Sequence, residues 1–163
     1  MRKIIDSKPR EDPSFLELLA LLREGPREIS LAGLHGAARA LVPARLRPHL
    51  EGAILLVAPT EREALSFRRD LAFFLGAGVL HYPSWDLKSV DPLSPQRTVE
   101  RDRLAVLRRL LEEEPVVVVA SLAAVLQRTL PKEVLRAWYQ TLSMGDFIDR
   151  DALAAKLLEG GYE

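Results

Sequence analysis

Two uninterrupted apolar runs of strand length constrain the fold of this 163-residue chain more than any other feature. The first covers 53–58, between Gly52 and Pro59, and the second covers 115–120, a proline followed by four valines and an alanine. Strands with continuous apolar sequence are typically buried on both faces, as in parallel sheets covered by helices. The runs therefore predict an α/β fold with a three-layer, mostly parallel sheet and helices on both faces.

Helical spacing of apolar residues separates and flanks these runs. It predicts helices over 13–24, 37–46, 60–75, 98–114 and directly after Ser121. Extended runs predict further strands at 27–31 and 79–82, and the prolines of 83–95 predict a long loop. Thr60 and Glu63 have the spacing of a capping box, and Ser121 is placed to cap the next helix.

Aromatic and charged side chains on the predicted helices have both structural and functional interpretations. The phenylalanines at positions 67, 73 and 74 are predicted core residues rather than cofactor contacts. Five arginines alternate with acids in the predicted helix over 98–114 and directly before it: Arg97, Arg101, Arg103, Arg108 and Arg109. These arginines predict a solvated, ion-paired face, and a patch that binds nucleic-acid phosphates remains the alternative.

The composition bounds the class of partner. Basic and acidic residues both number 23, so the formal net charge is zero and no general attraction to nucleic acid or membrane is implied. No signal sequence and no apolar run of membrane-spanning length is present, so we expect a cytoplasmic protein without membrane partners. There are no cysteines, and His35, His49 and His81 lack metal-ligand spacing, so no metal site is predicted.

The turn at 31–40 has the outline of a phosphate-binding loop without its chemistry. In the pattern G-x-x-G-x-G-K-[ST], Gly33 and Gly36 occupy the first two glycine positions, but Ala38, Arg39 and Ala40 occupy the rest. A working loop needs lysine for the outer phosphates and a hydroxyl for Mg²⁺. We therefore predict a nucleotide-binding scaffold with no bound nucleotide, no metal and no catalytic residue. A glycine-containing turn unrelated to phosphate binding is the alternative.

The character of the sequence changes after position 130. We predict one domain over 1–130, with the degenerate nucleotide-binding fold, and the beginning of a smaller α+β domain over 131–163. Within the second, 138–144 is predicted to form an exposed strand and Gly145 a turn. Asp149 is placed to cap a helix that ends at Gly160.

An ordered series of short motifs resembles one family, the N-terminal UvrB-like region of the bacterial transcription-repair coupling factors. The resemblance covers nearly the whole chain from about Ile29. The motifs are 57–59 (Val-Ala-Pro), 81–87 (His-Tyr-Pro-Ser-Trp-Asp-Leu), 94–96 (Ser-Pro-Gln), 103–104 (Arg-Leu), 116–121 (Val-Val-Val-Val-Ala-Ser), 126–128 (Leu-Gln-Arg) and 160–162 (Gly-Gly-Tyr).

The resemblance implies a helicase-like core similar to the first domain of UvrB, with the degenerate loop of the coupling factor at Gly33, Gly36, Ala38, Arg39 and Ala40. It implies a non-catalytic adaptor in nucleotide excision repair that recruits UvrA through its second domain, once that domain is complete, and restrains the full-length protein. RNA polymerase, DNA, ATP and Mg²⁺ are then partners and cofactors of the full-length protein, whose motor lies elsewhere.

Two alternatives of other classes remain at this point: a divergent ATPase and a DNA-binding repair domain of UvrB type. UvrB carries a long tyrosine-rich hairpin, whereas the corresponding insert at 85–96 is short and has one aromatic residue. The insert therefore offers almost no aromatic side chains that could stack on DNA bases. The resemblance places no known partner-binding residue on this chain.

Overall fold

The computed structural model describes residues 13–25, 28–85 and 95–160. They divide into two compact units, one ending at Glu51 and the other beginning at Gly52. Sequence reasoning did not anticipate this division, and the domain boundary between 130 and 131 stays a prediction. The predicted loop 83–95 lies mostly outside the described residues.

The elements are named in chain order. The first unit contains α1 (Pro13–Glu24) and α2 (Ala38–Leu46). The second contains β1 (Ile54–Ala58), α3 (Glu61–Leu75), β2 (Val79–Tyr82), α4 (Pro95–Leu111), β3 (Val117–Ser121), α5 (Leu122–Leu126), α6 (Lys132–Trp138) and α7 (Arg150–Glu159).

The first unit is held together by a small apolar core between its two helices. Phe15, Leu18 and Leu19 of α1 are buried, and partly buried residues of α1 itself, of the following segment and of α2 pack on them: Leu22, Ile29, Val42 and Leu46. The predicted strand at 27–31 is wrong for its described part, since 28–31 form no strand. Only Ile29 of these four residues is drawn toward the core, and no neighbouring strand is present in the described part of this unit to bond them.

The second unit is built on a parallel three-stranded sheet in the order β1-β3-β2. Side chains of Leu80, Val118 and Ala120 face α4 and α5, while His81 on the opposite face contacts α3. The sheet is thus covered by helices on both sides, and the predicted α/β class is confirmed.

The two apolar runs differ in burial. Every residue of the central strand β3 is buried, as predicted. On the edge strand β1, in contrast, Leu55 and Val57 are 55% and 46% exposed. Their register places them on the face of α4 and α5, beside Val118 and Ala120. On that face α4 packs over β2, and α5 packs over β3 and touches β1, so much of the outer strand is left uncovered.

The helix caps follow directly from the local sequence. The Thr60 hydroxyl accepts the Glu63 N–H at 3.2 Å, and the Ser121 hydroxyl accepts the Ala124 N–H at 3.2 Å. Asp149 accepts from the N–H groups of Asp151 and Ala152. All three predicted caps are confirmed, because capping needs only residues within one turn of each other.

Two predictions that depend on distant residues are wrong. Phe73 is 84% and Phe74 39% exposed, because the buried line of α3 runs through Ala64 and Leu71, nearly opposite Phe73. The predicted strand over 138–144 is also absent: α6 ends at Trp138 and 139–144 are irregular. The structure describes no strand beside this segment that could bond it.

Candidate functional site

The predicted degenerate loop contains a tight turn in which the amides of residues 38–40 donate within the turn. Gly33 and Gly36 have positive φ values of 78° and 55°. In a phosphate-binding loop, successive N–H groups at the start of the helix point toward the anion. Here the Ala38 N–H donates to the His35 carbonyl at 3.2 Å and the Arg39 N–H to the Gly36 carbonyl at 3.2 Å. These donors are satisfied within the turn.

The side chains of the same turn offer no ligand for a metal. Ala40 is completely buried and presents a methyl group where a hydroxyl would be required. Its N–H donates to the Ala37 carbonyl at 3.1 Å, and no side chain caps the helix. The arrangement is a stable beginning for α2 and lacks the two side-chain functions of a phosphate loop.

A second constellation lies where β2 ends, and its centre is a buried arginine. Arg103 of α4 is 3% exposed. Its guanidinium donates to the Pro83 carbonyl at 2.7 Å and to the Arg128 carbonyl at 3.3 Å. The group also stacks on two rings, 4.1 Å from the centroid of Tyr82 and 4.9 Å from that of Trp85. We call this group the Arg103 cluster and include Ser84 and Gln127.

Gln127 completes the cluster from the segment after α5. Its side-chain oxygen accepts the Trp85 N–H at 2.9 Å and the Arg103 guanidinium at 3.4 Å, and its amide donates to the Ser84 hydroxyl at 3.1 Å. The hydrogen-bond acceptors of the guanidinium are thus two backbone carbonyls and an amide oxygen. Burial lowers the pKa of Arg103, but an arginine side chain stays charged in proteins.

The position of Arg103 corrects the predicted ion-paired face of α4. Three of its neighbours do form ion pairs: Arg101 with Asp102, Arg108 with Glu112, and Arg109 with Glu114. Arg103 instead lies between the buried Val99 and Val106, four residues before it and three after it. That helical spacing was the available signal for a buried arginine, and the abundance of charges around it concealed it.

Sequence reasoning also missed a buried polar pair on the other face of the sheet. The Nε2 atom of His81 on β2 lies 2.8 Å from the Oε1 atom of Glu61 in the first turn of α3. Burial lowers the pKa of His81; Glu61 and Asp102 partly offset that shift, and Arg68 adds to it. The part of the chain that the structure describes holds no group of three or more candidate metal ligands.

Known proteins share sequence with nearly the whole length of this chain. The chain is 34% identical to the transcription-repair coupling factor of Myxococcus xanthus over 91% of its length, and 32% identical to that of Bacillus subtilis over 94%. It is also 27% identical to UvrABC system protein B of Thermus thermophilus over 90% of its length. These similarities confirm the resemblance of the chain to the UvrB-like region of the transcription-repair coupling factors. No family model matches it.

The chain spans 13% of the length of these two coupling factors and 24% of that UvrB protein. Three of the motifs that resemble the coupling-factor family meet in the Arg103 cluster: the described part of 81–87, 103–104 and 126–128. There the described motif residues hold one another in place. No helix of the described residues is long and apolar enough to cross a membrane.

Replacing Arg103 tests the structural role of the cluster. Arg103→Lys keeps the charge but cannot reach two carbonyls and two rings at once, leaving buried acceptors unsatisfied. We expect a loss of about 2–4 kcal/mol in the free energy of unfolding, measured by urea titration with circular dichroism. Arg101→Lys, on the exposed face of the same helix, is the matched control and should change stability by less than about 0.5 kcal/mol. Equal effects would contradict the cluster's role.

The buried His81 predicts a dependence of stability on pH. Its pKa in the folded chain lies below its ordinary value of about 6.5, so the unfolded chain binds the proton first as the pH falls. The contribution of His81 is therefore complete above about pH 6.5 and is lost as the pH drops below that value. We expect His81→Gln to flatten the fall in urea midpoint between about pH 7.5 and pH 5.5. The exposed His35→Gln should leave the slope unchanged.

Proposed function

We propose that this chain is a non-catalytic adaptor module of a transcription-repair coupling factor and acts in nucleotide excision repair in the cytoplasm. Residues 1–130 form the UvrB-like body, and 131–163 begin the domain that recruits UvrA. The module also restrains the full-length protein. The translocase motor, which uses ATP and Mg²⁺ and acts on DNA and RNA polymerase, lies outside this chain, and the chain itself takes no cofactor.

The observation that supports a non-catalytic module best is the closed turn at 36–40. Phosphoryl transfer depends on cations and amide donors that neutralise charge on the β- and γ-phosphates. The Ala38, Arg39 and Ala40 amides donate to carbonyls of the turn instead. Ala40 has no hydroxyl for Mg²⁺, and the planar guanidinium of Arg39 is a poor substitute for a lysine against phosphates. These losses argue against the divergent ATPase.

The DNA-binding alternative has weaker support in the structure than in the sequence. Of the arginines of α4, Arg101, Arg108 and Arg109 are ion-paired and Arg103 is buried. Apart from Arg97, an α4 arginine would have to lose its carboxylate partner or leave the protein interior before it could contact a phosphate backbone, and the chain has no net charge to compensate. The adaptor proposal therefore stands first.

Titration with Mg·ATP tests the non-catalytic proposal. We expect no saturable heat in calorimetry, because the amides of the turn are occupied and no side chain ligates the metal. The triple variant Ala38→Gly, Arg39→Lys and Ala40→Thr restores the residue types of a working loop and serves as a comparison for any gain of binding. Saturable heat with the natural sequence that Gly36→Asp abolishes would contradict the proposal.

Recruitment of UvrA is tested by extending the chain. The segment after α6 exposes large apolar side chains, with Met144 and Phe147 both fully exposed beside the Gly145 turn. We propose that the remainder of the second domain covers this apolar surface. We expect little capture of UvrA by residues 1–163 and clear capture by a chain continued through the second domain of a coupling factor. Equal capture by both would show that 131–163 are already a complete binding module.

A further inference from the structure

One helix of the second unit exposes to water an aromatic side chain that the fold does not bury. Phe73 of α3 is 84% exposed, and Phe74 next to it is 39% exposed. The two rings pack edge to face, with centroids 5.2 Å apart and an interplanar angle of 85°. Exposed aromatic groups of this size are characteristic of contact surfaces, since they bury large apolar area at a small cost in side-chain entropy.

Two arginines lie along the same side of the helix. Arg62, Arg69 and Phe73 are spaced by seven and four residues, which places them on one line with axial separations of about 10 Å and about 6 Å. We call these three residues and Ser66 the α3 ridge. Within the described residues neither Arg62 nor Arg69 has a carboxylate partner, whereas Arg101, Arg108 and Arg109 of α4 each have one. Among the described residues, the guanidinium groups of Arg62 and Arg69 therefore stay exposed and without an ion pair.

We propose that the α3 ridge is a docking surface for an acidic amphipathic helix of a protein partner. Two carboxylates seven residues apart on the partner would meet Arg62 and Arg69, and an apolar side chain four residues further would cover Phe73. Two helices that pack at a shallow angle keep residues with this spacing in register over several turns. Arginine and aromatic residues together are the side chains most enriched at the energetic centres of such interfaces.

The charges beside the ridge favour a protein over a nucleic acid. Glu63 and Asp70 are exposed on the neighbouring line of the same helix. A phosphate backbone passing along Arg62 and Arg69 would also approach these two carboxylates, so the four charges together give no net attraction. A folded partner instead places each charge at one position and can meet the arginines while avoiding the acids.

This surface is independent of the recruitment proposed above. The α3 ridge belongs to the α/β body within 1–130, whereas the proposed UvrA contact belongs to the domain that begins at 131. Loss of one interaction leaves the residues of the other unchanged, so the two proposals succeed or fail separately.

The test uses a synthetic helical peptide as probe. The peptide carries two glutamates seven residues apart and a leucine four residues from one of them, on an alanine-rich background with a fluorescent label. We expect saturable binding to the intact chain in fluorescence anisotropy, with a Kd of about 100 μM. Phe73→Ala and Arg69→Glu should each weaken binding about tenfold or more. Both positions are exposed, and circular dichroism will confirm that the variants are folded.

A charge exchange and a matched control complete the design. The double variant Arg62→Glu and Arg69→Glu should lose the acidic peptide and bind the same peptide with lysines in place of its glutamates. Arg101→Glu, an exposed arginine of α4, should leave binding unchanged. The proposal is overturned if the acidic peptide fails to saturate at millimolar concentration, or if the ridge variants bind it as well as the natural chain. Binding of a single-stranded oligonucleotide that Arg69→Glu abolishes would replace the protein partner with a nucleic acid.

Discussion

The guanidinium of Arg103 is the interaction on which the carboxyl edge of the sheet depends. It joins three segments that are distant in sequence: α4, the residues that leave β2, and the residues that follow α5. An arginine at 3% exposure normally needs a carboxylate partner. Among the described residues, carbonyl oxygens and the faces of Tyr82 and Trp85 surround it instead. Hydrogen bonds of a charged group contribute about 1.5–3 kcal/mol each, so several together can offset the cost of removing the cation from water.

This arrangement explains why polar motifs at the end of a parallel sheet need not indicate chemistry. In open α/β sheets that edge is the usual place for ligands, and clustered polar side chains there suggest a binding site. In this chain the polar atoms of Ser84, Gln127 and Arg103 bond to one another and to the backbone. These bonds fix the path of the chain at the end of β2 and after α5.

What could be predicted from the sequence is what depends on neighbours within a few residues. The caps at Thr60, Ser121 and Asp149 and the fully buried strand β3 belong to this class. The exposure of Val57 depends on which strand lies at the edge, a fact that no local pattern contains. A strand at 138–144 would require a partner strand. The burial of Arg103 depends on carbonyl groups from two other segments. Of the candidate site, the lack of a lysine and of a hydroxyl in the loop could be read from the sequence. The hydrogen bonds that its amides donate within the turn could not.

The survival of the turn at 36–40 without phosphate chemistry follows from how α2 is stabilised. A phosphate-binding helix gains part of its stability from the anion at its N-terminus. Here α2 is anchored from its other end, where Val42 and Leu46 pack on the core of α1 and the Arg45 guanidinium lies 3.8 Å from the Phe15 ring centroid. The helix even includes Pro43, which removes one of its own hydrogen bonds. Because Val42 and Leu46 pack on α1, the helix is stabilised without depending on the two side-chain functions of a phosphate loop at positions 39 and 40.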